Sequence, residues 1–230
     1  MFDLIPHAFA EEAAVAVAEA EPGWFEAALA RFNDLGSTGW ITIITMIVLA
    51  VVMILMSATR KTWTAKSLAY AAMCIALAFI LSYIKVFEMP QGGSVTLASM
   101  LPIMLFAAAY GVGPGMLVGA VYGLLQYIQG GWFVHPIQFL LDYPLAFAMI
   151  GLAGLYRVLP KKWSSWSLYA AMVIGAIGRA LSATLAGILY WDTAPLASLV
   201  YNGTYLIPDT IICIVIAVFV GKRLMKMMRK

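Results

Sequence analysis

Charge is what this sequence has least of. Only 11% of its 230 residues are Asp, Glu, Lys or Arg, against about 25% in soluble domains. A water-facing surface cannot be made from so few, and with 63% hydrophobic residues the chain reads as an integral membrane protein. Cysteine and histidine number two each. Cys74 and Cys213 fall in apolar runs and read as buried thiols, not as a bridge or a metal pair. With no HExxH or CxxC pattern, no metal site is expected. There is no GxxxxGK[ST] loop, so any ATP hydrolysis has to come from partner chains. No cofactor is expected either. The net charge of +3 points to no nucleic-acid partner. Residues 1–38 are not expected to be a secretory signal, since they carry neither a basic start nor a short apolar core in the right place.

What the chain does have is apolar runs. Residues 1–38 form an acidic block, with Glu11, Glu12, Glu19, Glu21 and Glu26 set among Ala and Val. An apolar span follows at 40–56, within a segment taken as 39–60. Further spans are expected at about 68–86, 97–110, 114–128, 136–156, 168–190 and 204–220. A span needs about 20 residues, so the third and fourth are short. Helices are the expected element, because lipid offers no partner to a backbone polar group. The basic residues fall into three clusters: Arg60, Lys61 and Lys66; Arg157, Lys161 and Lys162; and Lys222, Arg223, Lys226, Arg229 and Lys230. All three share one side of a seven-span topology. The positive-inside rule makes that side the cytoplasm, with the N-terminus outside. Gly111, Gly115, Gly119 and Gly123 recur every fourth residue, a spacing that lets two helices approach closely.

The chain is organised around residues 129–157. A glycine–aromatic turn leads to Pro136, which suits the first turn of a helix because that position needs no amide hydrogen. Asp142, Tyr143 and Pro144 then lie inside an apolar run that continues to Tyr156. An ionisable residue inside a span is a functional-site hypothesis by default. The competing reading, a water-facing cap at a loop–helix junction, fits poorly with the apolar run that follows. Gln138 and Asp142, four apart, share a face, and Asp142 lies about 9 Å into the helix at 1.5 Å per residue. In the sixth span Arg179, Ala183, Gly187 and Trp191 align at intervals of four: a cation, two small residues and an indole. The outer ends also bring Trp132, His135, Asn202, Tyr205 and Asp209 to one side. Two aromatic walls with a carboxylate below suit a flat, cationic heteroaromatic solute. Each aromatic taken alone is equally a membrane-interface residue.

At these residues the chain resembles a known family. The segments GGWFVHPIQFLLDYPLAFAMIGLAGL, MPQGGSVTLASMLPI (89–103) and SLVYNGTYLIP (198–208) are similar to the thiamine-specific substrate-binding (S) subunits of energy-coupling factor (ECF) transporters, the ThiT family. The likeness runs from about Lys66 to the C-terminus. It implies an all-α integral membrane protein with a six-helix S-component core over 61–230, here with an additional N-terminal transmembrane helix. It also implies a multi-pass protein of the cell membrane, not an enzyme. Such a protein captures thiamine outside and delivers it with a transmembrane coupling subunit and two cytoplasmic ATPase subunits. By that resemblance Asp142 is the counter-ion of the thiazolium, with Tyr143 beside it. Trp132 and Trp191 flank the ligand, Asn202 hydrogen-bonds it, and Arg179 positions Asp142 or forms the pocket floor. Ala72 and Ala76 match a face that docks the coupling subunit. Two positions depart from the family pattern: Ala183 stands where a His is common, and Ala197 where a Tyr is common. His135 or Tyr201 is the candidate to compensate. These departures leave open an S component for a thiamine precursor or analogue.

Two readings from other classes compete. A membrane-embedded lipid-modifying enzyme would use Asp142, Asp209 and His135, yet the carboxylates are single and scattered, with no pair to hold Mg²⁺. A purely structural membrane subunit would have no need of a carboxylate and an aromatic set at one membrane face.

Overall fold

The structure is a computed structural model that describes residues 63–89, 92–159 and 166–229. The acidic block at 1–38, the additional helix at 39–60 and the basic residues Arg60, Lys61, Lys161, Lys162 and Lys230 lie outside the described residues.

The described residues form six helices and one hairpin. Helix α1 (Ala65–Ser82) opens on a capping box. Thr64 Oγ1 accepts from the Ser67 amide at 3.1 Å, and Ser67 Oγ accepts from the Thr64 amide at 2.8 Å, so two otherwise orphaned donors are satisfied. Its buried residues are Ser67, Ala71, Cys74, Ala78 and Ser82, a helical stripe of small side chains that allows close packing. A two-stranded antiparallel hairpin follows, β1 (Lys85–Glu88) and β2 (Ser94–Thr96). Here the structure departs from the expected span at 68–86, because α1 stops at Ser82 and the chain turns extended. The missed signal is the Gly92-Gly93 pair between two short β-prone runs.

Helix α2 (Leu101–Tyr110) is buried from Leu101 to Ala109. It is too short to cross a bilayer, and its apolar surround marks it as the core of the bundle. Gly111, at φ 107°, ends it in a conformation open to glycine. Two arginines then satisfy its last carbonyls: Arg157 Nη1 donates to Tyr110 O at 2.7 Å and Arg229 Nη2 to Ala108 O at 2.7 Å. Cations at a helix C-terminus also complement its dipole.

Helix α3 (Val112–Ile128) packs on α4 (Pro136–Arg157) through the glycine stripe. A β-carbon on Gly119 would overlap the Phe147 carbonyl, one on Gly123 the Tyr143 carbonyl, and one on Gly115 the Ala107 side chain. The repeat of small residues therefore presses α3 onto the backbone that carries Asp142 and Tyr143. Helices α5 (Ser167–Tyr190) and α6 (Pro195–Arg229) complete the bundle. The last helix begins nine residues before the expected 204, because Pro195 suits a first helical turn, and it runs on past the apolar segment to Arg229. Four of the six helices, α1, α4, α5 and α6, are long and apolar enough to cross a membrane. The chain is an all-α integral membrane protein whose only strands, among the described residues, are those of the hairpin.

Candidate functional site

Pro144 shapes the site. It has no amide hydrogen for the carbonyl four residues back, and α4 widens to π-helix over Leu141–Leu145. Such widened turns are frequent at functional positions. The Ser182 hydroxyl of α5 donates to the Leu141 carbonyl at 2.7 Å, which ties the irregular turn to its neighbour. Consecutive residues of a regular helix diverge by about 100°, yet Asp142 and Tyr143 both line one cavity here.

That cavity measures about 970 Å³ and lies at the end of the bundle opposite the Arg157–Arg229 cluster. Its walls come from the hairpin, the ends of α1 and α3, the π turn of α4, and one face each of α5 and α6. On α5 the lining residues are Arg179, Ala183, Gly187 and Trp191, in the predicted four-residue register. At the mouth Trp132 and Trp191 meet edge to face, with centroids 6.4 Å apart.

Within the cavity Asp142 Oδ2 accepts from Gln138 Nε2 at 2.6 Å. Among the described residues the only ion pair is Lys85–Glu88, at 2.6 Å on the hairpin wall, so Asp142 has no cationic side chain at contact. The Tyr143 hydroxyl accepts from the Trp132 amide at 2.7 Å, holding the loop that carries the indole. Asn202 is buried, donates to Ser198 O at 2.9 Å and accepts from the Tyr205 hydroxyl at 2.6 Å. Gly187 lines the cavity and also lies so close to Ser198 that any β-carbon would overlap its hydroxyl. Its smallness serves the α5–α6 contact.

Two expected residues stand differently. Arg179 makes no contact with Asp142: its Nη1 lies 2.9 Å from Met100 Sδ and its guanidinium carbon 4.1 Å from the Phe147 ring centroid. His135 does not line the cavity. It caps the first turn of α4, where Nδ1 accepts from the Ile137 amide at 3.2 Å, and its ring stacks on Tyr190 at 4.9 Å. A histidine one residue before a helix-starting proline is well placed for that capping role, which competes with pointing into a pocket.

Sequence reasoning missed a polar corner of the cavity. Ser82 Oγ lies 2.8 Å and Gln126 Nε2 2.9 Å from Gln129 Oε1, and Lys85 and Glu88 stand beside them in the lining. The available signal was the pair of glutamines three apart at the end of an apolar span. Tyr201 was singled out only as a substitute contact. It lines the cavity, and its hydroxyl accepts from the Gly93 amide at 3.3 Å. The docking candidates Ala72 and Ala76 lie on the exposed side of α1, opposite its buried stripe.

A solute-sized chamber with a carboxylate, set into one end of an apolar helical bundle, defines a membrane protein that holds a small molecule. The family model described as thiamine transporter protein matches residues 68–229, and the chain belongs to that family. It is 36% identical over 145 residues to the thiamine transporter ThiT of Bacillus subtilis strain 168, covering 56% of this chain and 75% of the relative. It is 30% identical over 136 residues to the thiamine transporter ThiT of Lacticaseibacillus paracasei, covering 51% of this chain and 68% of the relative. A solved structure of ThiT from Listeria monocytogenes superposes with a TM-score of 0.59 at 24% identity, over 70% of this chain and 96% of that one. That likeness is one of fold.

Proposed function

We propose that this protein is the thiamine-binding S component of an ECF-type importer. The observation that carries the reading is Asp142: a carboxylate inside a membrane-embedded cavity, oriented by Gln138 and without a cationic side chain at contact. A carboxylate in such surroundings is costly unless a cation completes it, and thiamine brings a permanent one on its thiazolium ring. Family membership supports the choice of vitamin. In this reading Asp142 pairs with the thiazolium, Trp132 and Trp191 cover the rings by stacking and cation–π attraction, and Asn202 and Tyr143 hydrogen-bond the ligand. Arg179 and Gly187 shape the floor and wall. His135 holds the start of α4 and stays out of contact with the ligand.

Delivery in this reading needs a transmembrane coupling subunit and two cytoplasmic ATPases. Ala72 and Ala76 are the docking face, supported by their exposure on α1. The cavity faces outside and the C-terminus lies in the cytoplasm, in keeping with the basic residues gathered at the opposite end.

The test is titration of detergent-purified protein with thiamine and, separately, with its pyrimidine and thiazole halves, read by tryptophan fluorescence and calorimetry. Saturable binding of thiamine, far tighter than of either half, is the expected result. Binding of a half as tight as that of thiamine would move the assignment to a precursor, the second reading favoured by Ala183 in the lining.

A further inference from the structure

Asp209 is a carboxylate on α6, 1% exposed, that does not line the cavity. It accepts two hydrogen bonds from one residue at the end of the hairpin: the Thr96 amide at 3.0 Å and the Thr96 hydroxyl at 2.9 Å. The same hydroxyl lies 2.7 Å from Ser99 Oγ. Four residues after Thr96 comes Met100, whose sulfur lies against the Arg179 guanidinium. The connector 96–100 is thus held by an anion from α6 at one end and touched by a cation from α5 at the other.

Neither charge has a contact ion pair, because the only one among the described residues is Lys85–Glu88. The connector between them is a tight turn, with the Ala98 amide donating to Thr96 O at 2.8 Å and the Leu101 amide to Ala98 O at 3.0 Å, so the two charges stand at the ends of one short, compact loop. In an apolar interior the field between charges is weakly screened and reaches beyond contact distance. A lone guanidinium there is costly without an opposite charge nearby.

We propose that Asp209 is the counter-charge of Arg179 and thereby sets the net charge of the cavity. Lys85 and Glu88 cancel each other on the hairpin wall. Arg179 is cancelled from behind by Asp209, through the connector. Asp142 is then the one uncompensated charge, and the chamber carries a single negative charge matched to a monocation. Asp209 is a positioning residue: it touches no ligand and acts on Arg179. This inference rests on the cation-binding reading above and names the device that enforces it.

The experiment compares Asp209→Asn, Arg179→Gln and the double variant with the wild type. Asparagine keeps an oxygen for Thr96, so the hairpin anchor survives the change. Calorimetry is run with thiamine and with its neutral pyrimidine half. Asp209→Asn is expected to weaken thiamine on the order of tenfold and to leave the neutral half within about twofold. The double variant is expected to recover most of the loss, since removing both members of a buried pair costs far less than removing one. Equal weakening of both ligands, no weakening of either, or no recovery in the double variant would overturn the proposal. Melting of ligand-free protein reads the pair independently: each single variant is expected to melt lower and the double variant to return toward wild type. Should Asp209→Asn fail to fold, a double variant that also fails overturns the proposal, and one that folds and binds supports it. A wild type that ignores thiamine, with the melting pattern intact, sinks the thiamine reading and leaves the charge pair standing. Thiamine binding lost in Asp142→Asn but untouched in Asp209→Asn does the reverse.

Discussion

Gln138 and Asp142 stand one helical turn apart, and the glutamine amide nitrogen lies 2.6 Å from Asp142 Oδ2. The same side chain accepts from the Val134 amide at 3.1 Å, so one fully buried glutamine joins the loop behind Trp132 to the carboxylate. Gln138→Leu keeps the volume and removes both bonds, together with a third from Nε2 to Trp132 O at 3.4 Å. An unsatisfied buried donor costs about 1–3 kcal/mol, so the variant is expected to melt lower and to bind thiamine roughly tenfold more weakly. Calorimetry alongside thermal denaturation measures both. Unchanged affinity would mean that Asp142 needs no orienting partner.

Asp142→Asn removes the charge and keeps the shape. Truncating one partner of a desolvated charge pair costs about 2–5 kcal/mol. The expected result is a loss in thiamine affinity of at least about thirtyfold, with far less effect on the neutral pyrimidine half. An equal loss for both ligands would transfer the role of Asp142 from counter-ion to scaffold.

Much of this was legible in the sequence because the signals were periodic. Arg179, Ala183, Gly187 and Trp191 repeat every fourth residue, and helix geometry alone puts them on one wall. Gly115, Gly119 and Gly123 announced a close helix contact for the same reason. What stayed hidden was set by tertiary partners. His135 became a cap because Pro136 starts a helix behind it and Tyr190 offers its ring a stacking face. The π turn at Asp142 depends on Ser182 of another helix accommodating the Leu141 carbonyl. The hairpin, whose first strand begins inside the expected span at 68–86, stayed hidden because strands of four and three residues are too short for alternation to show.

The glycine stripe makes a prediction with an internal control. Alanine at Gly119 would drive its methyl into the Phe147 carbonyl, which is backbone and cannot swing aside. Overpacking of this kind costs about 1–3 kcal/mol. Alanine at Gly203, also inside a helix, meets nothing nearer than Ile207 Cδ1 at 3.7 Å and gains about 0.5–1 kcal/mol of helix preference. Gly119→Ala is therefore expected to melt lower and to lose ligand affinity as the Asp142–Tyr143 turn shifts, while Gly203→Ala melts at or above wild type. Equal melting of the two variants would detach the stripe from the site.

Trp132 and Trp191 are 60% and 44% exposed and touch at the mouth, where a bound ring system would meet both. Seven tryptophans emit in this chain, so the quench on thiamine binding has to be assigned. Trp132→Phe and Trp191→Phe are each expected to remove a large share of it, and their combination nearly all, while calorimetry still detects weakened binding. A quench that survives the double substitution would put the ligand elsewhere in the chamber.

Ala183 decides between thiamine and a relative of it. It lies on the cavity wall one turn from Arg179 and one turn from Gly187, at a position where the family resemblance puts a histidine. With alanine there, the wall offers space in place of a hydrogen-bonding side chain. Ala183→His adds a donor and acceptor beside the ligand and reduces the open volume. If thiamine is the ligand and alanine only forgoes a contact, the variant is expected to bind it about tenfold more tightly, the worth of one net hydrogen bond of roughly 1–1.5 kcal/mol. The gain would then appear for one half of the vitamin and not for the other, because one imidazole reaches one ring. If the space instead accommodates a bulkier analogue, the same change closes it, and affinity for that analogue falls while thiamine is unaffected. One variant and two ligands thus turn a single missing side chain into a measure of what the chamber was shaped to hold.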